Sequence, residues 1–123
     1  MSYLLDTCVV SEFARPAPSP QIVRWLDAQA EDQLYLSVVT LGEIARGVAR
    51  LPDGRRRRRL ATWLHHDVRE RFAQRLLPVS PQVALRWGEL SGRAAARGAQ
   101  ISMADGIIAA TALVHGLVVA TRD

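Results

Sequence analysis

No lysine occurs anywhere in the 123-residue chain; all of its 16 positive residues are arginine. A phosphate-binding loop with its lysine, a Schiff-base enzyme and a catalytic lysine are therefore excluded. Cysteine is almost as scarce. Cys8 stands alone, so no internal disulfide can form and a reducing cytoplasm is the expected setting. No apolar run approaches the ~18 residues of a membrane span, and the N-terminus lacks the basic and apolar regions of a secretory signal. Membrane insertion and secretion are not expected. Aromatic residues make up only 6% of the chain.

What remains is an ordinary folding composition. The hydrophobic fraction is 49% and mean hydropathy is near zero, which describes a globular protein. The length suits one domain, 1–123, able to bury a core without staples. Net charge is +4. Arginine presents a planar fork that matches phosphate and carboxylate, so the surface suits RNA or acidic protein segments.

The apolar pattern alternates short runs with longer amphipathic stretches. Strands are expected at Tyr3–Leu5, Leu34–Leu36, Leu76–Val79 and Leu117–Ala120. Pro78 points to an edge position for the third. Helices are expected over Cys8–Ala14, Gln21–Ala30, a segment carrying Leu41, Ile44, Val48 and Leu51, and a segment carrying Leu60, Leu64, Val68 and Phe72. Two more follow, one with Val83, Trp87, Leu90 and Ala94, the other over Met103–Val114 before Gly116. Strands separated by helices imply parallel pairing through right-handed crossovers. The expected fold is an α/β layer structure with a mainly parallel central sheet.

Four acids recur in equivalent local settings. Asp6 and Asp123 each close an apolar run, and Glu43 and Asp105 lie near helix starts. In a parallel sheet these places share the carboxyl edge, where ligands collect. Three of them also have an ordinary structural use. Thr40-x-x-Glu43 and Ser102-x-x-Asp105 have the form of capping boxes, and Asp6-Thr7 has the form of an Asx turn. Gathered together, four carboxylates repel one another unless a cation offsets their charge. Mg²⁺ or Mn²⁺ does this through hard oxygen ligands, and it can turn a retained water against a phosphodiester.

The run Tyr3-Leu4-Leu5-Asp6-Thr7-Cys8-Val9-Val10-Ser11-Glu12 resembles the opening of a PIN-domain protein, with Cys8 where that family more often has Asn. Leu36-Ser37-Val38-Val39-Thr40-Leu41-Gly42-Glu43-Ile44 resembles its second motif. Ile101-Ser102-Met103-Ala104-Asp105-Gly106-Ile107-Ile108 resembles the third, and Val119-Ala120-Thr121-Arg122-Asp123 the fourth. The resemblance covers nearly the whole chain and is nearest to the VapC/FitB branch, the ribonuclease toxins of type II toxin–antitoxin pairs. Arg15-Pro16-Ala17-Pro18 and the Leu51-Pro52-Asp53-Gly54 turn also resemble that branch.

The resemblance implies a three-layer α/β/α fold and a Mg²⁺-dependent endoribonuclease, with Mn²⁺ able to substitute. It further implies a cognate antitoxin, an RNA substrate such as transfer or ribosomal RNA, and a homodimer that can enter a larger toxin–antitoxin assembly. Asp6, Glu43, Asp105 and Asp123 match the catalytic acids, with Asp6, Asp105 and Glu43 as metal ligands. Thr7 and Thr121 are secondary polar residues there. Relatives continue beyond the position of Asp123, which implies a shortened C-terminal end.

Arg55, Arg56, Arg57, Arg58 and Arg59 form the densest basic run. It is either a solvated helical face or a contact for RNA or antitoxin. His65 and His66 are adjacent, so on a helix they diverge by about 100° and make a poor metal pair. His115 suits a helix C-terminus. Trp25, Trp63 and Trp87 sit among aliphatics and read as core or dimer-interface groups. A phosphatase of the HAD type would need a second Asp where Cys8 stands. A PIN-like RNA- or protein-binding regulator without catalysis remains the alternative.

Overall fold

The computed structural model describes residues 1–122. Four strands, β1 (Tyr3–Leu5), β2 (Leu34–Ser37), β3 (Leu76–Leu77) and β4 (Val118–Ala120), form one parallel sheet in the order β3-β2-β1-β4. The helices are α1 (Thr7–Glu12), α2 (Pro20–Asp27), α3 (Val38–Ala49), α4 (Arg55–Thr62), α5 (Arg69–Arg71), α6 (Pro81–Ala96) and α7 (Met103–His115). This is the expected three-layer α/β/α arrangement.

Strand alternation sorts the core between two faces. Leu5, Leu34 and Leu36 pack with Val9 and Val10 of α1, Leu26 of α2, Ile44 of α3, and Leu64, Val68 and Phe72. Leu4 faces the other way, against Ile108 and Ala112 of α7. A third cluster joins α6 to α7 through Val83, Ile107 and Ala110, with Trp87 packed against it. The three tryptophans are half-buried, each against one of these clusters.

Several boundaries differ from the sequence expectation for identifiable reasons. The second helix starts at Pro20 itself, because a proline at the first helical position needs no N–H partner and arrives with a helical φ. The third strand ends at Leu77, since Pro78 cannot donate to the ladder, and β3 does lie at an edge. Leu60, Leu64, Val68 and Phe72 recur at strict four-residue steps, and each step overshoots an α-helical face by about 40°. The π-helical segment Trp63–Val68 widens the turn, and all four side chains are buried. Gly116 stops α7 in the left-handed conformation (φ 66°), which costs glycine nothing. Among the described residues, no helix is long and apolar enough to cross a membrane.

Candidate active site

The sheet order places β1 between β2 and β4: the chain steps outward from β1 through β2 to β3, then crosses back to β4 on the other side of β1. A crevice opens at such a reversal, beyond the carboxyl ends of the strands. Register aligns Leu5 of β1 with Ala120 of β4, and Asp6 N–H donates to Ala120 O at 2.9 Å. Asp6 and Thr121 therefore leave the sheet side by side. Asp105, in the first turn of α7, lies across from them. Asp6, Asp105, Ile108, Ala109, Val119 and Thr121 line one open pocket of about 320 Å³.

Asp6 is fixed at both ends. Its backbone carbonyl accepts from Val9 and Val10 N–H as α1 begins, and its Oδ1 accepts from Thr7 N–H at 2.8 Å. Oδ2 accepts from the Thr121 hydroxyl at 3.2 Å and lies 3.5 Å from Cys8 Sγ. Asp6 caps α1 through the very next N–H, not the one two residues on that an Asx turn would use, and this bond orients the carboxylate without using up its acceptor capacity. Half-buried Asp6 presents the pocket with a preset donor atom.

Ser102 caps α7 by accepting from Asp105 N–H at 3.1 Å, which is one half of the capping box its sequence pattern predicts. The Thr40–Glu43 pattern behaves differently. Ser37, not Thr40, caps α3, accepting from Val39 N–H at 3.1 Å. Glu43 falls in the second turn, where Thr7 Oγ1 donates to its Oε1 at 2.6 Å. Thr40 Oγ1, fully buried, lies 3.3 Å from the same Thr7 hydroxyl. Thr7 joins α1 to α3, and Glu43 meets the Asp6 cap through it. Among the described residues, no three His, Cys, Asp or Glu side chains converge as a ready metal cage. Asp123, the fourth acid of the sequence reading, lies outside the described residues.

The basic run stands apart from this pocket. Arg55–Arg59 open α4, largely exposed, and Arg58 approaches Asp53 at 3.7 Å. Arg58 and Arg59 line a separate groove with Phe13, Ala14, Trp63 and Asp67. His65 and His66 are exposed in the π-helical segment, and His115 occupies the last turn of α7.

Two residues near the site had no assigned part in the sequence reading. Cys8 Sγ lies 3.6 Å from Thr121 Oγ1 and 3.5 Å from Arg122 N. Glu12 is buried, with Ser19 N–H, Arg15 and Arg122 on its carboxylate. The Ser19 N–H, helped by both arginine charges against the cost of burial, holds its carboxyl below the ordinary glutamate range. The available signal was an acid inside the apolar stretch Val9–Phe13.

Comparison with known proteins places this geometry. The PIN domain profile matches residues 3–123. Toxin FitB of Neisseria gonorrhoeae is 42% identical over 120 residues, spanning 98% of this chain and 86% of its own length. The VapC ribonuclease Y4jK of Sinorhizobium fredii is 40% identical over the same shares of the two chains. The crystal structure of FitAcB from Neisseria gonorrhoeae superposes with a TM-score of 0.90 at 42% identity, covering 98% of this chain and 87% of that one.

Proposed function

The chain belongs to the PIN-domain family, and from that membership we propose that it is a Mg²⁺-dependent endoribonuclease toxin, neutralised by a cognate antitoxin. The observation that carries the reading is the pairing of Asp6 and Asp105 on one pocket at the sheet's reversal point, with Thr121 between strand end and acid. Its relatives' names, a toxin and a ribonuclease, agree with it.

The residues present fit a hard divalent ion. Mg²⁺ retains several waters and is commonly held by one or two carboxylates, so a closed cage of acids is not required. Asp6 and Asp105 would hold it, and Glu43 would act beside them through the Thr7 hydroxyl or a water. When bound, the ion supplies an activated water and offsets charge on the phosphoryl oxygens. Asp6 contributes an oriented oxygen, with Thr7 N–H and Thr121 Oγ1 limiting its rotation. Arginines around the domain would bind the RNA backbone without choosing sequence. Transfer or ribosomal RNA as substrate, a homodimer and a cytoplasmic setting belong to the same proposal.

A second reading, a PIN-like regulator that binds RNA or protein without cleaving, draws on the engagement of Glu43 by Thr7. One experiment separates the two. Purified, antitoxin-free protein is expected to cleave RNA with Mg²⁺ or Mn²⁺ and to stop in EDTA. Asp6→Asn and Asp105→Asn, still folded by circular dichroism, should each lose roughly 100-fold or more of activity. Protein that binds no Mn²⁺, with cellular toxicity untouched by either substitution, would leave the regulator.

A further inference from the structure

Glu12 is the only charged side chain buried among the described residues, and the acid pocket does not use it. Burying a carboxylate is costly unless it is paired and hydrogen-bonded. Two of its partners are local: Ser19 N–H donates to Oε1 at 2.9 Å, and Arg15 Nη1 to Oε2 at 3.0 Å. These close the proline-rich segment that follows α1. The third partner comes from the far side of the sequence. Arg122 Nη1 donates to Oε2 at 3.2 Å, across a separation of 110 residues.

Arg122 follows Thr121 directly, and Thr121 is the residue whose hydroxyl reaches Asp6 Oδ2. The backbone N–H of Arg122 meets Cys8 Sγ at 3.5 Å. Asp6 caps α1, Cys8 lies in its first turn and Glu12 is its last residue. One short helix therefore grips the chain emerging from β4 at three places along its length. Without the Glu12 contact, nothing among the other two is an ion pair: one is a hydroxyl hydrogen bond and one a weak sulfur contact.

We propose that Glu12 is a positioning residue for the acid pocket, anchoring Arg122 and so holding the Thr121 hydroxyl on Asp6. The inference rests on the reading of that pocket as a metal-dependent nuclease centre. Groups that orient a metal ligand typically contribute 10- to 100-fold in metal affinity or activity. Thr121, by donating to Oδ2, limits the rotation of the carboxylate that lines the pocket with Asp105, and Glu12 keeps Thr121 in reach from the opposite end of α1.

The test uses the isotopically labelled full chain without metal, then with Mn²⁺. Wild type should show nuclear Overhauser contacts from Thr121 to Asp6 and Cys8. Arg122→Ala and Glu12→Gln should lose them and bind Mn²⁺ about tenfold more weakly. Arg122→Lys should restore part of both. Arg15→Ala, which removes a partner of the same carboxylate that does not lead to the pocket, should change neither. Should Glu12→Gln fail to fold, Arg122→Ala carries the test, since that side chain is half exposed. Unchanged contacts and unchanged Mn²⁺ affinity in Arg122→Ala would overturn the proposal. Equal Mn²⁺ binding by wild type and Asp6→Asn would instead overturn the metal centre, while the Thr121 contacts still decide the role of Glu12.

Discussion

Asp6 shows how much one residue can be asked to do when strand end, helix cap and ligand coincide. Its N–H continues the sheet, its carbonyl starts α1, and its two carboxylate oxygens take the cap and the Thr121 hydroxyl. Glu12, at the other end of the same helix, has a consequence for acid stability. Its carboxyl is held below the ordinary value of about 4.5, chiefly by the Ser19 N–H and then by the arginines. A depressed carboxylate stabilises the fold above its unfolded value, and that stabilisation disappears as pH falls through the lower folded value. Glu12→Gln should therefore cost stability at neutral pH, and the gap to wild type should close as pH falls below the lowered folded value. Urea unfolding across that range checks it. A gap independent of pH would mean that hydrogen-bond geometry, not charge, is what Glu12 supplies. Glu31, lowered mainly by its bond to Arg71, gives wild type and variant alike a residual acid sensitivity of the same sign.

At the scale of elements, the approach of α7 to α6 sets where Asp105 stands. Gly106 follows Asp105, and a Cβ there would lie 2.8 Å from Trp87 Cδ1 and 2.9 Å from Nε1. The indole is rigid and packed, so Gly106→Ala must push the start of α7 away from α6. The expected loss is about 1–3 kcal/mol, read from urea midpoints, with the proposed RNA cleavage falling further than stability explains because Asp105 moves too. Gly92 is the control. It lies in α6 with open space around its Cβ position, and Gly92→Ala should stabilise by about 1 kcal/mol. Opposite signs at these two glycines are the outcome to look for. Equal signs would show that the Trp87 contact relaxes freely. The π-helical segment belongs to this scale too: the four-residue apolar repeat was visible in the sequence, but the widened turn that accommodates it was not.

For the whole molecule, charge and topology separate two surfaces. Asp6 and Asp105 share the pocket at the sheet's reversal point, while Arg55–Arg59 lie along α4 beside a different groove. If that run holds RNA phosphates, binding of single-stranded RNA in EDTA should weaken with salt. Each arginine replaced by alanine should then lower the log–log slope by roughly 0.7 per lost contact. Fluorescence anisotropy across a salt series for Arg55→Ala and Arg56→Ala measures this. A slope that does not move assigns the run to solvent or to an antitoxin.

Strand and helix order, the parallel sheet and the carboxyl-edge position of Asp6 and Asp105 were legible in the chain, because apolar periodicity and turn residues act locally. So was the family, through motifs that each span only a few neighbouring residues. Partner choice was not legible. Thr40-x-x-Glu43 reads as a local cap, yet Ser37 takes that place and Glu43 turns to Thr7, on another helix. Glu12 has no assigned part in the sequence, yet it is buried and meets Arg122 from the opposite end of the chain. Local sequence determines backbone conformation, since torsional preference and hydrogen-bond reach extend over a few residues. Which side chains share a hydrogen bond across α1, α3 and the end of β4 is decided by sheet order and packing, and only the tertiary structure holds that.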